Sequence, residues 1–310
     1  MAPAANNQVG PWFVTADSVT KATSGQDLPD GFARLDLVVQ VTNSTAAPLL
    51  VHRTNVETGY GQFPVVAAAV STDGFVYGLF GSDKPRLGQF DGYSWYGGPV
   101  PAGVTMPLHL AVDVPAGSTD LTIRLNVADA NAAPTASCAG PCETTLPLTD
   151  FANRSPMPMS FANATMDAVG TRIQQGPLAA TVTSPHLIVP CKGPAQDNLW
   201  MVEFTVKAAN SYGYGLWNSG AYAVLYDGEG GVWSNQGPIW PPKAYSGVPP
   251  KGSLVFTFDE PVSNRPPSGC GAARPKGHMY LLFVMPPLSY NSQPLAGGVA
   301  ALYDLGVLKP

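Results

Sequence analysis

Two stretches of the chain decide its fold class: Val-Ser-Thr-Asp-Gly-Phe-Val-Tyr-Gly at residues 70–78 and Val-Leu-Tyr-Asp-Gly-Glu-Gly-Gly-Val-Trp at residues 224–233. In each, Asp-Gly interrupts an apolar run, which is a strong hairpin signal because both residues tolerate the positive φ of a tight turn. Each is followed by a Pro-x-Gly turn, at residues 101–103 and 250–252, and then by an apolar strand that ends near a proline. The pattern occurs twice and predicts two similar β domains in tandem.

The composition agrees with a chain of short strands and turns. The 310 residues include 33 glycines and 32 prolines, 45% are hydrophobic, and only 12% are charged, which is about half the usual charged share. No segment keeps a helical period without a proline or glycine, whereas alternating apolar runs recur along both halves. About seven short strands per half are typical of antiparallel sandwiches. We therefore predict an all-β chain of two tandem immunoglobulin-like antiparallel β-sandwich domains.

The expected domain boundaries follow from one segment of different composition. Residues 128–176 are rich in Ala, Asn, Pro, Ser and Thr and contain the first two cysteines. We interpret this segment as a connector between a first sandwich at residues 1–127 and a second at residues 177–310. Within the second sandwich, residues 299–307 are expected to form one extra terminal strand.

Residues 35–43, Leu-Asp-Leu-Val-Val-Gln-Val-Thr-Asn, predict a strand that runs into a Thr-Asn turn, and a Pro-x-Gly turn and an apolar strand ending in proline follow downstream. This arrangement resembles small secreted immunoglobulin-like β-sandwich domains, among them the mycobacterial immunoprotective extracellular antigen and related bacterial domains of unknown function. The resemblance covers each half separately and implies an extracellular, non-enzymatic domain that brings no catalytic residues. The chain departs from those domains by its large aromatic loops and its cysteines.

The cysteines indicate an oxidising compartment. There are four, an even number in loop-rich sequence that suits disulfides. Loop context favours one bridge between Cys138 and Cys142 and another between Cys191 and Cys270, out of three possible connectivities. A metal site is the alternative, although the two-residue spacing of zinc knuckles is absent. We predict a secreted or cell-surface protein, and the first ten residues carry no signal-peptide pattern.

Several classes of function are disfavoured. The net charge is −5, with 16 basic and 21 acidic residues and no basic run, so neither nucleic acid nor an anionic membrane is an expected partner. No apolar stretch has the length of a membrane span. Nucleophile-elbow, phosphate-loop, zinc-protease and EF-hand patterns are absent. We expect no cofactor and no metal, and the absence of these patterns disfavours an enzyme.

Aromatic loops carry the functional prediction. Flat aromatic faces beside amide and carboxyl groups suit sugar rings, and the same side chains dominate protein interfaces. The alternative is that these residues cap the sandwiches or join the two domains. The candidate ligand-binding residues are Tyr93, Trp95, Tyr96, Trp217, Trp233, Trp240 and Tyr245.

Three functions compete at this point. The first is a non-catalytic extracellular binding or adhesion protein that uses the aromatic loops for a glycan or protein ligand. The second is a structural subunit of an extracellular or surface assembly, with edge strands or termini pairing between chains of a homo-oligomer. The third is an enzyme whose site is assembled in space and leaves no motif. Three glycosylation sequons, at Asn43, Asn153 and Asn163, matter only in a eukaryotic secretory host.

Overall fold

A computed structural model describes residues 7–24, 28–50, 65–78, 99–127, 143–188, 200–210, 222–228, 232–239, 251–259, 277–285, 288–290 and 293–309. Within these ranges the structure is all-β, with one 3₁₀ turn at Leu148–Asp150 as its only helical element. The predicted all-β class is confirmed. The chain divides into two compact units, Met1–Ala164 and Thr165–Pro310.

The described part of the first unit contains ten strands, which pair in antiparallel fashion. One sheet has the order β1-β2-β3-β8, a second has the order β10-β9-β5-β6, and β4 pairs with β7. The strands are β1 (Gln8–Val9), β2 (Trp12–Ala22), β3 (Phe32–Asn43), β4 (Leu49–Leu50), β5 (Val65–Ser71), β6 (Val76–Gly78), β7 (Pro99–Val100), β8 (Thr105–Pro115), β9 (Leu121–Val127) and β10 (Glu143–Pro147).

The central strand β3 is buried on both faces. Its apolar residues Leu37, Val39 and Val41 alternate with Val38 and Gln40, and none of the five is more than 4% exposed. Successive side chains of a strand point to opposite faces, so each face of β3 must be covered. The second sheet packs against one face of the first sheet, since β5 and β6 contact β8, the neighbour of β3.

The other face is covered by the segment that follows β10. We call this segment, residues 151–164, the strap. It pairs with the two strands that flank β3, through Ala152 beside Ser18 on β2 and through Ser160 beside Thr105 on β8. The strap buries three large apolar side chains, those of Phe151, Met159 and Phe161.

The expected connector at residues 128–176 thus differs from what the structure describes. Its described part begins with β10, which pairs along its whole length with β9, and continues as the strap. From Thr165 onward the chain belongs to the second unit. The expected boundaries at 127 and 177 therefore do not coincide with the division between the units. In β10, Thr144 and Leu146 are the buried residues. Because one of the two is a polar threonine, the strand lacks the alternation of apolar residues from which a strand is predicted.

The described part of the second unit also contains ten strands, all paired in antiparallel fashion. Eight of them form one sheet in the order β11-β12-β13-β16-β15-β14-β17-β20, and β18 pairs with β19. The strands are β11 (Arg172–Gln175), β12 (Leu178–Ile188), β13 (Met201–Asn210), β14 (Tyr222–Tyr226), β15 (Val232–Ile239), β16 (Lys251–Asp259), β17 (Met279–Met285), β18 (Leu288–Tyr290), β19 (Gln293–Ala296) and β20 (Val299–Gly306).

The order of strands in the second unit follows that of the first. The run β11-β12-β13-β16 corresponds to β1-β2-β3-β8, and the run β20-β17-β14-β15 corresponds to β10-β9-β5-β6. Strand β15 joins the two runs, because Trp233 pairs with β14 while Pro238 pairs with β16. The expected extra strand is β20, and in this order it occupies the place that β10 has in the first unit.

Both Asp-Gly dipeptides lie where the sequence predicts them, between paired strands. Asp73-Gly74 joins β5 to β6, and Asp227-Gly228 follows β14 and precedes β15. Gly74 has φ +87°, which explains the need for glycine in the first turn. The two predicted hairpins are confirmed.

Candidate functional site

Strand register brings the longest connections of the first unit to one end. Thr42 pairs with Thr105, Val65 with Val127, and Glu143 with Asn126. The segments 44–64 and 128–142 therefore begin and end at the same end of the strands. The segment 79–104 returns to this end at Thr105, and it starts after Gly78, where β6 runs toward the same end and pairs with Ala68 of β5. We call this side the loop end of the first unit.

The opposite end of the first unit holds the shorter connections. A four-residue turn at 72–75 links β5 to β6, and residues 116–120 link β8 to β9. The first of these turns is closed by backbone hydrogen bonds between Ser71 and Phe75 and between Gly74 and Ser71. The three longest connections of the unit thus share one end with the short Gly10-Pro11 turn, whereas the turns at 72–75 and 116–120 lie at the other end.

The second unit also gathers several connections at one end, which we call its loop end, although residues 189–200 and 260–278 leave the opposite end. Ala209 pairs with Lys251, Tyr222 with Val284, and Met285 with Val299. The segments 211–221 and 240–250 and the β18–β19 hairpin consequently leave the strands on one side of this unit. The Asp227-Gly228 turn lies on the other side, because β14 ends there at Tyr226.

Six of the seven predicted binding residues belong to segments bounded by the loop ends. Tyr93, Trp95 and Tyr96 lie between Gly78 and Pro99, Trp217 lies between Asn210 and Tyr222, and Trp240 and Tyr245 lie between Ile239 and Lys251. All six fall outside the described residues. Their role in ligand binding stays a prediction, and the described strand ends define the side of each unit on which these segments start and finish.

The seventh residue, Trp233, belongs to the core of the second unit. It is 2% exposed and lies near the Asp227 turn, away from the loop end. Its indole N–H donates to Asp227 Oδ2 at 3.2 Å. A tryptophan that packs in the core and satisfies its N–H internally has no face left for a ligand. Trp233 is therefore a packing residue and is not part of the proposed binding surface.

The importance of Asn43 is not visible in the sequence, where the residue is a glycosylation sequon at the end of a predicted strand. Asn43 is 1% exposed. Its side-chain amide donates to Ala47 O and to Val100 O, both at 2.8 Å. With both amide hydrogens engaged and the residue buried, folded Asn43 is not accessible for attachment of a glycan. Asn153 and Asn163 are exposed.

The four cysteines, Cys138, Cys142, Cys191 and Cys270, lie outside the described residues, so the two disulfides stay predictions. The strands that flank the last two are described. Met201 pairs with Ile188 on one side and with Asp259 on the other. The segments that carry Cys191 and Cys270 therefore leave the same end of the sheet from strands that are both neighbours of β13, roughly 10 Å apart.

Histidines and carboxylates pair on the surface of the second unit. His278 Nδ1 lies 2.9 Å from Asp304 Oδ2, and His186 Nε2 lies 3.5 Å from Glu203 Oε1. The histidine side chains are 51% and 48% exposed, respectively, so both contacts lie at the surface. Burial, and then the Asp304 carboxylate, raise the pKa of neighbouring Tyr280.

Among the described residues, no three or more His, Cys, Asp or Glu side chains gather in a way that could hold a metal ion. No helix in the same part of the chain is long and apolar enough to cross a membrane.

Comparison with known protein families, with curated proteins and with solved structures finds no match for the chain.

Proposed function

We propose that the protein is a non-catalytic, secreted or cell-surface binding or adhesion protein. In this proposal two tandem immunoglobulin-like β-sandwiches present aromatic segments from their loop ends to a glycan or protein ligand. The observation that carries the proposal is the strand register. It indicates that the strands bounding the aromatic segments of each unit lead to or from its loop end.

The tandem repeat is supported by three correspondences between the units. The strand orders agree. The hairpins β1–β2 and β11–β12 turn at Gly10-Pro11 and Gly176-Pro177, whose glycines have φ +55° and +53°. Strands β3 and β13 both end in an asparagine followed by a serine. Repeated turn chemistry at matching places is what duplication of one fold produces.

A binding role is supported by the contrast between the two ends of the first unit. Rigid sheets that hold long connections on one side are the usual way in which sandwich domains present binding loops. The predicted aromatic residues are restricted to these connections once Trp233 is assigned to the core. The low charged share of 12% favours a neutral ligand, because stacking on aromatic faces needs no counter-charge.

The deciding experiment compares two aromatic substitutions with a matched control in the full chain. Trp95→Ala and Trp240→Ala test the two loop ends. Phe75→Ala is the control, because Phe75 is 64% exposed and sits on the tight-turn side of the first unit. Binding is measured on an array of neutral oligosaccharides and thermal unfolding is measured in parallel.

If the proposal holds, each tryptophan substitution weakens retention on the array by about 1–4 kcal/mol while the melting temperature is kept. Phe75→Ala leaves both quantities unchanged. If the tryptophans cap or join the sandwiches instead, their loss lowers stability by about 3–5 kcal/mol and leaves binding as it was, which contradicts the proposal. If the wild-type protein binds no glycan on the array, the ligand is not a neutral glycan, and the proposal then stands only for a protein ligand.

A further inference from the structure

The backbone of Asn43 ties β3 to the turn that precedes β8. Asn43 N donates to Val104 O at 3.1 Å, and Gly103 N donates to Asn43 O at 2.9 Å. These bonds join the end of one strand to the residues at which the longest connection of the loop end returns to the sheet. The backbone of Asn43 is therefore fully hydrogen-bonded.

The side chain of Asn43 reaches two separate segments. Its Nδ2 donates to Ala47 O, in the segment that leaves β3, and to Val100 O, in the segment that returns toward β8. Its Oδ1 accepts from the backbone N–H and from the hydroxyl of Thr45, at 2.9 Å and 2.8 Å. Both donors and both acceptor positions of the amide are thereby used.

The same two segments also pair directly. Leu49 on β4 lies opposite Val100 on β7, and Leu50 lies opposite Pro99. A pair of two-residue strands is marginal on its own, so its register needs support from outside. The bonds of Asn43 to Ala47 and Val100, one on each side of this pair, supply that support.

We propose that Asn43 is a positioning residue of the loop end. It fixes the roots of two segments, residues 44–50 and 99–104, against each other, so that a ligand meets a surface already assembled. Preorganisation of this kind lowers the ordering cost of binding. The consequence for binding rests on the proposed function, whereas the fixing of the two roots does not.

The second unit has an asparagine at the corresponding register position. Leu178, the first residue of β12, lies opposite Asn210, as Trp12, the first residue of β2, lies opposite Asn43. In both units this pair stands next to the Gly-Pro hairpin and to the first residues of a long connection. The position is therefore filled by the same residue type at both loop ends.

Hydrogen exchange of the full chain, resolved by peptide, tests the proposal with two variants. Asn43→Asp keeps the shape and the Oδ1 acceptor but replaces the donating NH2 group with a second acceptor oxygen, so both donated hydrogen bonds are lost. We expect exchange to accelerate about tenfold or more in both 44–50 and 99–104, because the loss of buried hydrogen bonds makes local opening of both segments more frequent. Thr45→Val removes one hydroxyl from the first root only, so acceleration should be confined to residues 44–50.

The control is Asn153→Ala, which removes an exposed asparagine of the strap and should leave both roots unchanged. Acceleration restricted to the roots, with β2 and β5 still protected, supports the positioning role. Unchanged exchange at 99–104 in Asn43→Asp overturns it, and so does uniform acceleration through every strand of the unit. If Asn43→Asp does not fold, unchanged exchange at 44–50 in Thr45→Val overturns it.

A second readout separates this inference from the proposed function. On the oligosaccharide array, Asn43→Asp should reduce retention about tenfold while Asn153→Ala retains it. If the wild-type protein binds no glycan, the glycan form of the proposed function fails, and the exchange pattern alone decides whether Asn43 positions the roots.

Discussion

The carboxylate of Asp17 and the guanidinium of Arg154 form an ion pair that fastens the strap to β2. The Asp17 side chain is fully buried, whereas that of Arg154 is 41% exposed. The other carboxylate oxygen accepts from Gln40 Nε2 at 2.6 Å and from Met157 N at 2.8 Å. One buried carboxylate therefore accepts hydrogen bonds from the neighbouring strand and from Met157 of the strap, and it is ion-paired with Arg154 of the strap.

Removing the two partners of this ion pair should have unequal effects. Asp17→Ala leaves the donors Gln40 Nε2 and Met157 N without their acceptor and should destabilise the first unit by about 2–5 kcal/mol. Arg154→Ala should cost only about 1–2 kcal/mol, because the carboxylate keeps two hydrogen bonds. Urea unfolding of the full chain measures both, with Arg172→Ala, an exposed arginine of the second unit, as control. Equal losses from Asp17→Ala and Arg154→Ala would contradict this account.

Fragments should show that the first unit needs its strap. A fragment of residues 1–164 should unfold cooperatively on heating, whereas residues 1–127 should show no cooperative transition. The shorter fragment lacks the buried side chains of Leu146, Phe151, Met159 and Phe161, each of which contributes about 1.5–3 kcal/mol, and a domain is stable by only about 5–15 kcal/mol. Circular dichroism melts of both fragments make the comparison, and identical transitions would disprove it.

Gly103 and Gly74 form a matched pair for a steric test. Both have a left-handed backbone, with φ +74° and +87°. A Cβ on Gly103 would overlap Asn163 O of the strap, whereas nothing lies within 4 Å of a Cβ on Gly74. Gly74→Ala should cost about 1–2 kcal/mol from backbone strain alone, and Gly103→Ala should cost clearly more. Similar melting temperatures for the two variants would contradict this account, because they would mean that the strap shifts away from the added Cβ at little cost in stability.

Tyr303 should make the second unit sensitive to alkaline pH. Burial, and then the Asp167 carboxylate, raise the pKa of this phenol from 10.0 to about 12. Because the folded pKa lies above the unfolded one, the contribution is complete below pH 10 and is lost as the pH rises toward about 12, up to about 2–3 kcal/mol.

The variant that isolates this effect is Tyr303→Phe. At neutral pH it should cost about 0.5–1.5 kcal/mol, since the hydroxyl donates a long bond of 3.4 Å to Thr171 O. Between pH 10 and 12 the gap between wild type and variant should shrink and then reverse. Urea unfolding at several pH values measures the gap, and a constant difference across this range would refute the assignment.

The predicted disulfides can be tested by counting thiols. The segments with Cys191 and Cys270 start from Ile188 and Asp259, which flank Met201 at one end of the sheet. A bridge here closes a long loop and should stabilise the second unit by about 2–5 kcal/mol. Titration of the unfolded, non-reduced protein should find no free thiol at either position. Two reactive thiols mapped to Cys191 and Cys270 would reject the bridge.

Much of the fold can be predicted from local patterns. The alternation of Phe32–Asn43 and the Asp-Gly turn at Asp73 are properties of neighbouring residues, so one sequence is enough to recognise them. Strand β1, with two residues, is too short to show a period, although its Gly10-Pro11 turn recurs at Gly176-Pro177. The repeated turn was the signal that could have located β1 and β11.

The parts that could not be predicted depend on contacts between distant residues. Asp17 looks like a solvent-facing charge in a strand, and only the strap, far along the chain, buries it. Asn43 looks like a sequon, and its role depends on Val100, which arrives from another connection. Trp233 looks like its aromatic neighbours in sequence, and only its burial in the folded unit assigns it to the core.

The strap also determines how the first unit responds to tension along the chain. A pull at Ala164 acts first on the bridge in which Thr105 and Ser160 exchange two hydrogen bonds, at 2.9 Å and 2.8 Å, and would peel it open before any strand of the two sheets is disturbed. Residues 151–164 have a contour length of about 45–50 Å at roughly 3.4 Å per residue, and the length released on detachment is this contour less the distance that the strap already spans. The strap is therefore the part of the first unit that a pull on its C-terminal end would load before the strands of the two sheets.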